Sequence, residues 1–168
     1  MLYVVAWPLL AEADDTALRR LRAQYHPGEA ALIGPHFTLV FGAADGEADR
    51  LAAALDRLEA RPFWFMLDRL ARHDNPPPRR DAYLFALPDD GEAQLRDLHD
   101  RLDDGPGGPA GPPFEPHLTL GLFASAAEAE QVARIVQRQH LPMRGRVEEL
   151  ALLRRTADGL ETLKARAL

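Results

Sequence analysis

Two stretches decide the fold: Pro35-His36-Phe37-Thr38-Leu39-Val40-Phe41 and Pro116-His117-Leu118-Thr119-Leu120-Gly121-Leu122-Phe123. Each reads Pro-His-apolar-Thr-Leu. The proline fixes φ and holds the chain extended at the entrance. The apolar positions that follow read as a strand, in which side chains alternate between faces. That alternation predicts His36, Thr38 and Val40 on one face, with Phe37, Leu39 and Phe41 turned to the core. It sets His117 and Thr119 against Leu118 and Leu120 in the same way. Each strand then offers one imidazole and one hydroxyl, two residues apart.

Outward from these strands the chain repeats itself. Leu2–Trp7 is a β-branched and aromatic run that reads as a strand. A helix is expected over about 13–25, stopped by His26-Pro27-Gly28. After the first histidine strand come an amphipathic helix over Gly46–Ala60 and a strand over Phe63–Leu70. The tract 74–80 (DNPPPRR) is a loop. The second half gives a strand over Ala82–Leu87, an acidic helix over Asp89–Leu102 and a loop over residues 105–113 (GPGGPAGPP). The second histidine strand and a helix over Ala126–Gln139 follow. Strands Arg146–Arg154 and Leu160–Ala167 close the chain, joined at the hairpin signal Ala157-Asp158-Gly159. The order is βαβαβ, then βαβαββ. Tyr3 precedes His36 by 33 residues and Tyr83 precedes His117 by 34. An internal duplication of roughly 80 residues accounts for this. It predicts one α+β domain over 1–168 built as two pseudo-twofold lobes, about 1–74 and 81–168, with strands able to cross between them.

Pseudo-symmetry would bring the two His/Thr pairs together across a groove. Two facing histidines suit proton-in, proton-out chemistry at phosphorus: a neutral imidazole takes a proton from attacking water, and a protonated one gives a proton to the leaving alkoxide. Histidine serves both roles because its unperturbed pKa lies near ~6.5. Threonine hydroxyls would donate to the non-bridging oxygens. Bland alternatives stand beside this: a histidine bonded to backbone at a strand entrance, a threonine chosen for its shape. Two histidines without a matching carboxylate make an incomplete metal site, so neither metal nor cofactor is expected.

The paired motifs, about 80 residues apart in a duplicated α+β chain, resemble the 2H phosphoesterase superfamily, in its 2′-5′ RNA ligase-like (RNA 2′,3′-cyclic phosphodiesterase) branch. The resemblance extends from the opening strand to the closing hairpin. It implies a bilobal fold with two antiparallel sheets lining a central cleft and helices packed outside. It also implies metal-independent hydrolysis of 2′,3′-cyclic phosphates, at RNA ends or on nucleotides, to 2′-phosphates. Alternatives are transesterification at 2′-5′ linkages and a module that binds a phosphorylated ligand without turnover. Carried over by motif, the catalytic histidines are His36 and His117, and the phosphate-binding threonines are Thr38 and Thr119.

Composition bounds the rest. The chain has 168 residues, a formal charge of −6 and no cysteine. Disulfides, thiolate ligands and a cysteine nucleophile are excluded, and a coat for long nucleic acid is disfavoured. Met1–Leu10 is apolar but short, contains Pro8 and lacks a basic n-region, so it is not read as a signal peptide. The expectation is a cytoplasmic protein with no membrane span and no obligate protein partner. The charge is polarised: residues 134–168 hold eight basic and four acidic side chains, a local +4, whereas 89–104 hold seven acids and two arginines. Arg144, Arg146, Arg154 and Arg155 are therefore candidates for a basic lip that steers an anion, as are Arg79 and Arg80 of the Pro-rich loop. His73 has the same loop position, though a solvated loop is the simpler account. Trp7 is the aromatic residue expected at the cleft. His26 and His99 are expected at the surface.

Overall fold

The two longest strands organise the molecule, because each pairs with different partners along its length. The computed structural model describes residues 1–103 and 114–168; the expected 105–113 loop lies outside the described residues. The elements are β1 (Leu2–Leu10), α1 (Glu12–Tyr25), α2 (Pro27–Leu32), β2 (Phe37–Ala43), a 3₁₀ turn (Asp45–Glu47), α3 (Ala48–Arg57), β3 (Phe63–Asp74), β4 (Ala82–Pro88), α4 (Glu92–Leu102), β5 (Leu118–Phe123), α5 (Ala126–Gln139), β6 (Met143–Arg155) and β7 (Leu160–Ala167). β3 pairs with β6 through Phe63–Leu67 and with β4 through Leu67–Asp74. β6 pairs with β3 through Met143–Val147, with β1 through Gly145–Arg154, and with β7 through Glu149–Arg155.

The two antiparallel sheets expected are joined into one. All pairings are antiparallel and belong to one seven-stranded sheet, β1-β2-β5-β4-β3-β6-β7, with β1 also paired to β6. Six strands thus run in a closed circuit and β7 extends it from β6. The strands expected over 63–70 and 146–154 are longer than their apolar runs suggested, and the extra length makes the connections. β6 and β7, from the second half of the chain, lie against β1 of the first. β3, from the first half, lies against β4 of the second.

The helices cover the outer face, with α1 against β5, α4 against β2, and α5 against β3, β4 and β5. The core between takes Leu2, Val4 and Ala6 from β1 and Phe37, Leu39 and Val40 from β2. Leu84 and Ala86 come from β4, Leu118 and Leu120 from β5. Phe37 meets Phe65 edge to face, centroids 5.1 Å apart. A smaller cluster of Val5, Ile33, Ala151 and Leu153, with Tyr3, Trp7 and Leu160 against it, occupies the opposite face of β1 and β6. With both faces covered, β1 reads as a continuous apolar run.

Local chemistry sets the ends. Ser125 caps α5, its hydroxyl accepting from Glu128 N–H at 3.2 Å, and the Glu128 carboxylate reaches back to accept from Ala124 N–H at 3.1 Å. Pro27, expected only to stop α1, also begins α2, since proline at the first helical position loses no hydrogen bond. Gly91, at φ +84°, sets the start of α4; a Cβ there would stand 2.7 Å from Phe65 Cβ and 2.9 Å from Trp64 O. No helix among the described residues is long and apolar enough to cross a membrane.

One expectation about facing fails for a specific reason. Val5 pairs with Thr38 and Val4 with Val40, leaving Leu39 without a partner of its own. The bulge breaks the alternation. Leu39 and Val40 both face the core, and Phe41, expected inside, is 79% exposed. A bulge recurs at the matching place in the second half: Phe85 pairs with Thr119 and Leu84 with Gly121, leaving out Leu120.

Candidate active site

β2 and β5 meet at a single pair, Phe37 opposite Leu118. These are the residues that follow His36 and His117. Continuing that antiparallel register sets His36 across from Thr119 and His117 across from Thr38. The core pair faces inward, so the four polar side chains turn the other way. All four line a cleft of about 840 Å³, a size typical of small-ligand sites.

The imidazoles are held alike. His36 Nδ1 donates to Gly34 O at 2.8 Å and His117 Nδ1 donates to Glu115 O at 2.8 Å. A carbonyl only accepts, so Nδ1 carries the hydrogen in both rings, and Nε2 is the nitrogen free to change protonation. Phe85 stacks on His117 at 4.0 Å between centroids, and Trp7 meets His36 edge-on at 6.2 Å. Burial pushes both imidazole pKa values below the ordinary histidine range, against the raising effect of each backbone bond. The Arg22 guanidinium and His117 lower His36 further, while Glu29 raises it. At His117, the Glu115 carboxylate raises and His73 lowers. The hydroxyls of Thr38 and Thr119 have no hydrogen-bond partner among the described residues.

Of the other candidates, Arg155 and His73 line the cleft, whereas Trp7, Arg79, Arg80, Arg144, Arg146 and Arg154 do not. Trp7 reaches His36 but is absent from the cleft lining. Arg144 and Arg146 lie over the ring of Trp64, at 4.6 and 5.8 Å. Arg146 also pairs with Glu148 at 2.8 Å. Arg154 is engaged by Asp45 at 3.7 Å and Glu161 at 3.5 Å. Arg79 pairs with Asp81, and Arg80 is exposed beside it. The basic C-terminal segment is thus a salt-bridged sheet surface, and of its basic side chains Arg155 alone is in the cleft lining.

Several cleft residues were not foreseen. His26 and His99, expected at the surface, join His36, His117 and His73 in the lining, so five of the six histidines in the chain gather here. His26 has a buried Nδ1 without a partner and meets Tyr83 edge-on at 6.0 Å. His99 Nδ1 bonds Leu39 O at 2.7 Å and its ring stacks on Phe114 at 4.0 Å. Its spacing from Leu95, Leu98 and Leu102 on α4 was the available signal. Tyr3, Phe41, Tyr83 and Phe85 supply the aromatic wall. Arg22 is buried where Leu18 and Leu21 predict an apolar helix face. The lining cations are Arg22 and Arg155, and the acids are Glu29, Asp103 and Glu115. Among the described residues, no three histidine, aspartate or glutamate side chains converge as a metal-ligand set.

Comparison with known proteins places the fold. The family model described as the 2′-5′ RNA ligase superfamily matches residues 9–159. Among solved structures, apo LigT of E. coli superposes with a TM-score of 0.64, 22% identity, and coverage of 99% of this chain and 96% of that one. LigT complexed with 3′-AMP gives 0.63 at 22% identity, covering 99% and 97%. Usb1 of Kluyveromyces marxianus gives 0.59 at 12% identity, covering 96% and 97%. At these identities the likeness is one of fold. No functionally curated protein matches the sequence.

Proposed function

The chain belongs to the 2′-5′ RNA ligase superfamily, and we propose that it hydrolyses 2′,3′-cyclic phosphates, of nucleotides or RNA ends, to 2′-phosphates by two-histidine acid–base catalysis. The observation that carries this is the matched pair of imidazoles in one cleft, each with Nδ1 committed to a backbone carbonyl. The neutral ring takes a proton from water on Nε2 as the water oxygen bonds to phosphorus. The protonated ring gives its Nε2 proton to the 3′-oxygen as the P–O3′ bond breaks. Thr38 and Thr119 donate to the non-bridging oxygens, where charge rests in the transition state. No step requires a metal. Ligands of the right size support the reading: LigT has been solved with 3′-AMP and with phosphate, and Usb1 with uridine monophosphate. The formal charge of −6 is no obstacle, because the cleft grips one phosphate and not a polymer.

The test is incubation with a panel of 2′,3′-cyclic nucleotides in excess EDTA, with products resolved by phosphorus NMR. The expected result is a 2′-phosphate product. A 2′-5′-linked product from RNA halves would replace hydrolysis with transesterification. Inorganic phosphate raising the Tm with no turnover of any substrate would leave a binding module.

The pH profile follows from the environment. Catalysis needs one proton on the pair. Burial depresses both rings, so in the free enzyme that proton is lost at lower pH than from ordinary histidines. The bell of kcat/KM is expected to peak below about pH 6.5. A bound phosphate anion raises both imidazoles, so the kcat profile should be displaced to higher pH. A kcat/KM maximum above neutrality would contradict the burial argument.

A further inference from the structure

We propose that Arg22 is a positioning residue, whose single guanidinium ties the segment carrying His36 to the strand carrying His117 and so sets the spacing of acid and base. The proposal rests on the two-histidine reading of the cleft. Arginine is rarely buried without a charged partner, yet Arg22 is 1% exposed. Its fork is spent on backbone: Nη1 donates to Thr119 O at 2.6 Å and Nη2 donates to Ile33 O at 3.0 Å. Ile33 caps α2, three residues before His36, and its neighbour Gly34 holds the His36 ring. Thr119 stands two residues beyond His117, just before the Leu120 bulge.

The two acceptors therefore belong to the two motif segments, and β2 and β5 touch nearby at only one residue pair. A joint held by so short a ladder needs a second tie, and a rigid planar fork supplies it. The same charge is felt at one imidazole. Groups facing His36 are Arg22 from α1, Glu29 from α2 and His117 from ahead of β5; those facing His117 are Glu115 and His73. Arg22 also lines a smaller cavity of about 340 Å³ with Arg19, Ala30 and Pro35, so a shorter side chain at position 22 meets space, not a clash.

Two substitutions separate tie from charge. Arg22→Lys keeps the charge but presents one nitrogen, which cannot serve both carbonyls in a fork. Arg22→Met removes both. Each is expected to lower kcat on a cyclic nucleotide by about 10- to 100-fold, the effect of roughly 1 Å of misplacement, with KM changed less than about threefold. In histidine NMR titrations of the full chain, Arg22→Met should raise the His36 pKa, and Arg22→Lys should leave it in place. A kcat within about threefold of wild type in Arg22→Lys, a loss matched by the unfolded fraction in circular dichroism, or an unmoved His36 titration in Arg22→Met would overturn the proposal. If Arg22→Met does not fold, Arg22→Lys decides. If wild type turns over no cyclic phosphate, the hydrolase reading falls. The tie then stands if Arg22→Lys weakens inorganic phosphate binding about tenfold, and falls if it does not.

Discussion

His36→Gln and His117→Gln are each expected to lower kcat on a 2′,3′-cyclic nucleotide by about 10²–10⁴, the range for losing a positioned acid or base. Glutamine is the stringent choice, because its amide can still donate a hydrogen bond but carries no exchangeable charge. The losses should not add. In the proposed mechanism water loses its proton and the 3′-oxygen gains one in the same displacement, so removing either partner should disable the pair. The double variant should therefore lie near the worse single one. The expected Tm change is small, since each ring makes a single hydrogen bond, to the carbonyl two residues upstream. KM should hold better than kcat, because the threonines and the cleft walls remain. Full activity in either single variant would end the two-histidine mechanism.

The motif pair was legible because it combined two regularities, the strand period and the repeat. Neither could show how the strands join. An apolar run marks the part of a strand that is buried, so Phe63–Leu70 and Arg146–Arg154 were visible. Met143–Gly145 and Ala71–Asp74, which complete the circuit, carry no such signal. The bulges were equally hidden. Leu39-Val40 and Leu120-Gly121 read as ordinary alternation until their partners are known, and the slip sends Phe41 to the cleft. The histidines were undervalued for a related reason. His26 lies between two helices and His99 on a helix edge, and only the packing of α1, α4 and β4 around one cleft brings them to it. The arginines were overvalued. A count of charge along the sequence does not see Glu148 beside Arg146 or Asp45 beside Arg154. Arg22 was the informative exception, a cation in the phase of Leu18 and Leu21. A charge on the buried stripe of a helix should be read as a question about its partner.

Thr38→Val and Thr119→Val are each expected to reduce kcat by about 10²–10³, the loss seen when one donor to a transition-state oxyanion is removed. Valine and threonine are nearly the same shape and both favour strands, so the exchange removes the hydroxyl and little else. The backbone contacts survive it: the bond from Arg22 goes to the Thr119 carbonyl, which any residue provides. Thr→Ser at the same positions reverses the experiment, keeping the hydroxyl and discarding the methyl. If the hydroxyls hold the phosphate, serine should stay within about tenfold of wild type while valine fails. If threonine is present only because a β-branched residue packs well on β2 and β5, the order inverts, with valine active and serine less stable. The four variants, assayed for kcat and for Tm, thus separate a phosphate-binding threonine from a strand-forming one at each position. The two sites should respond alike, because each threonine follows its histidine by two residues and precedes a bulge of the same register.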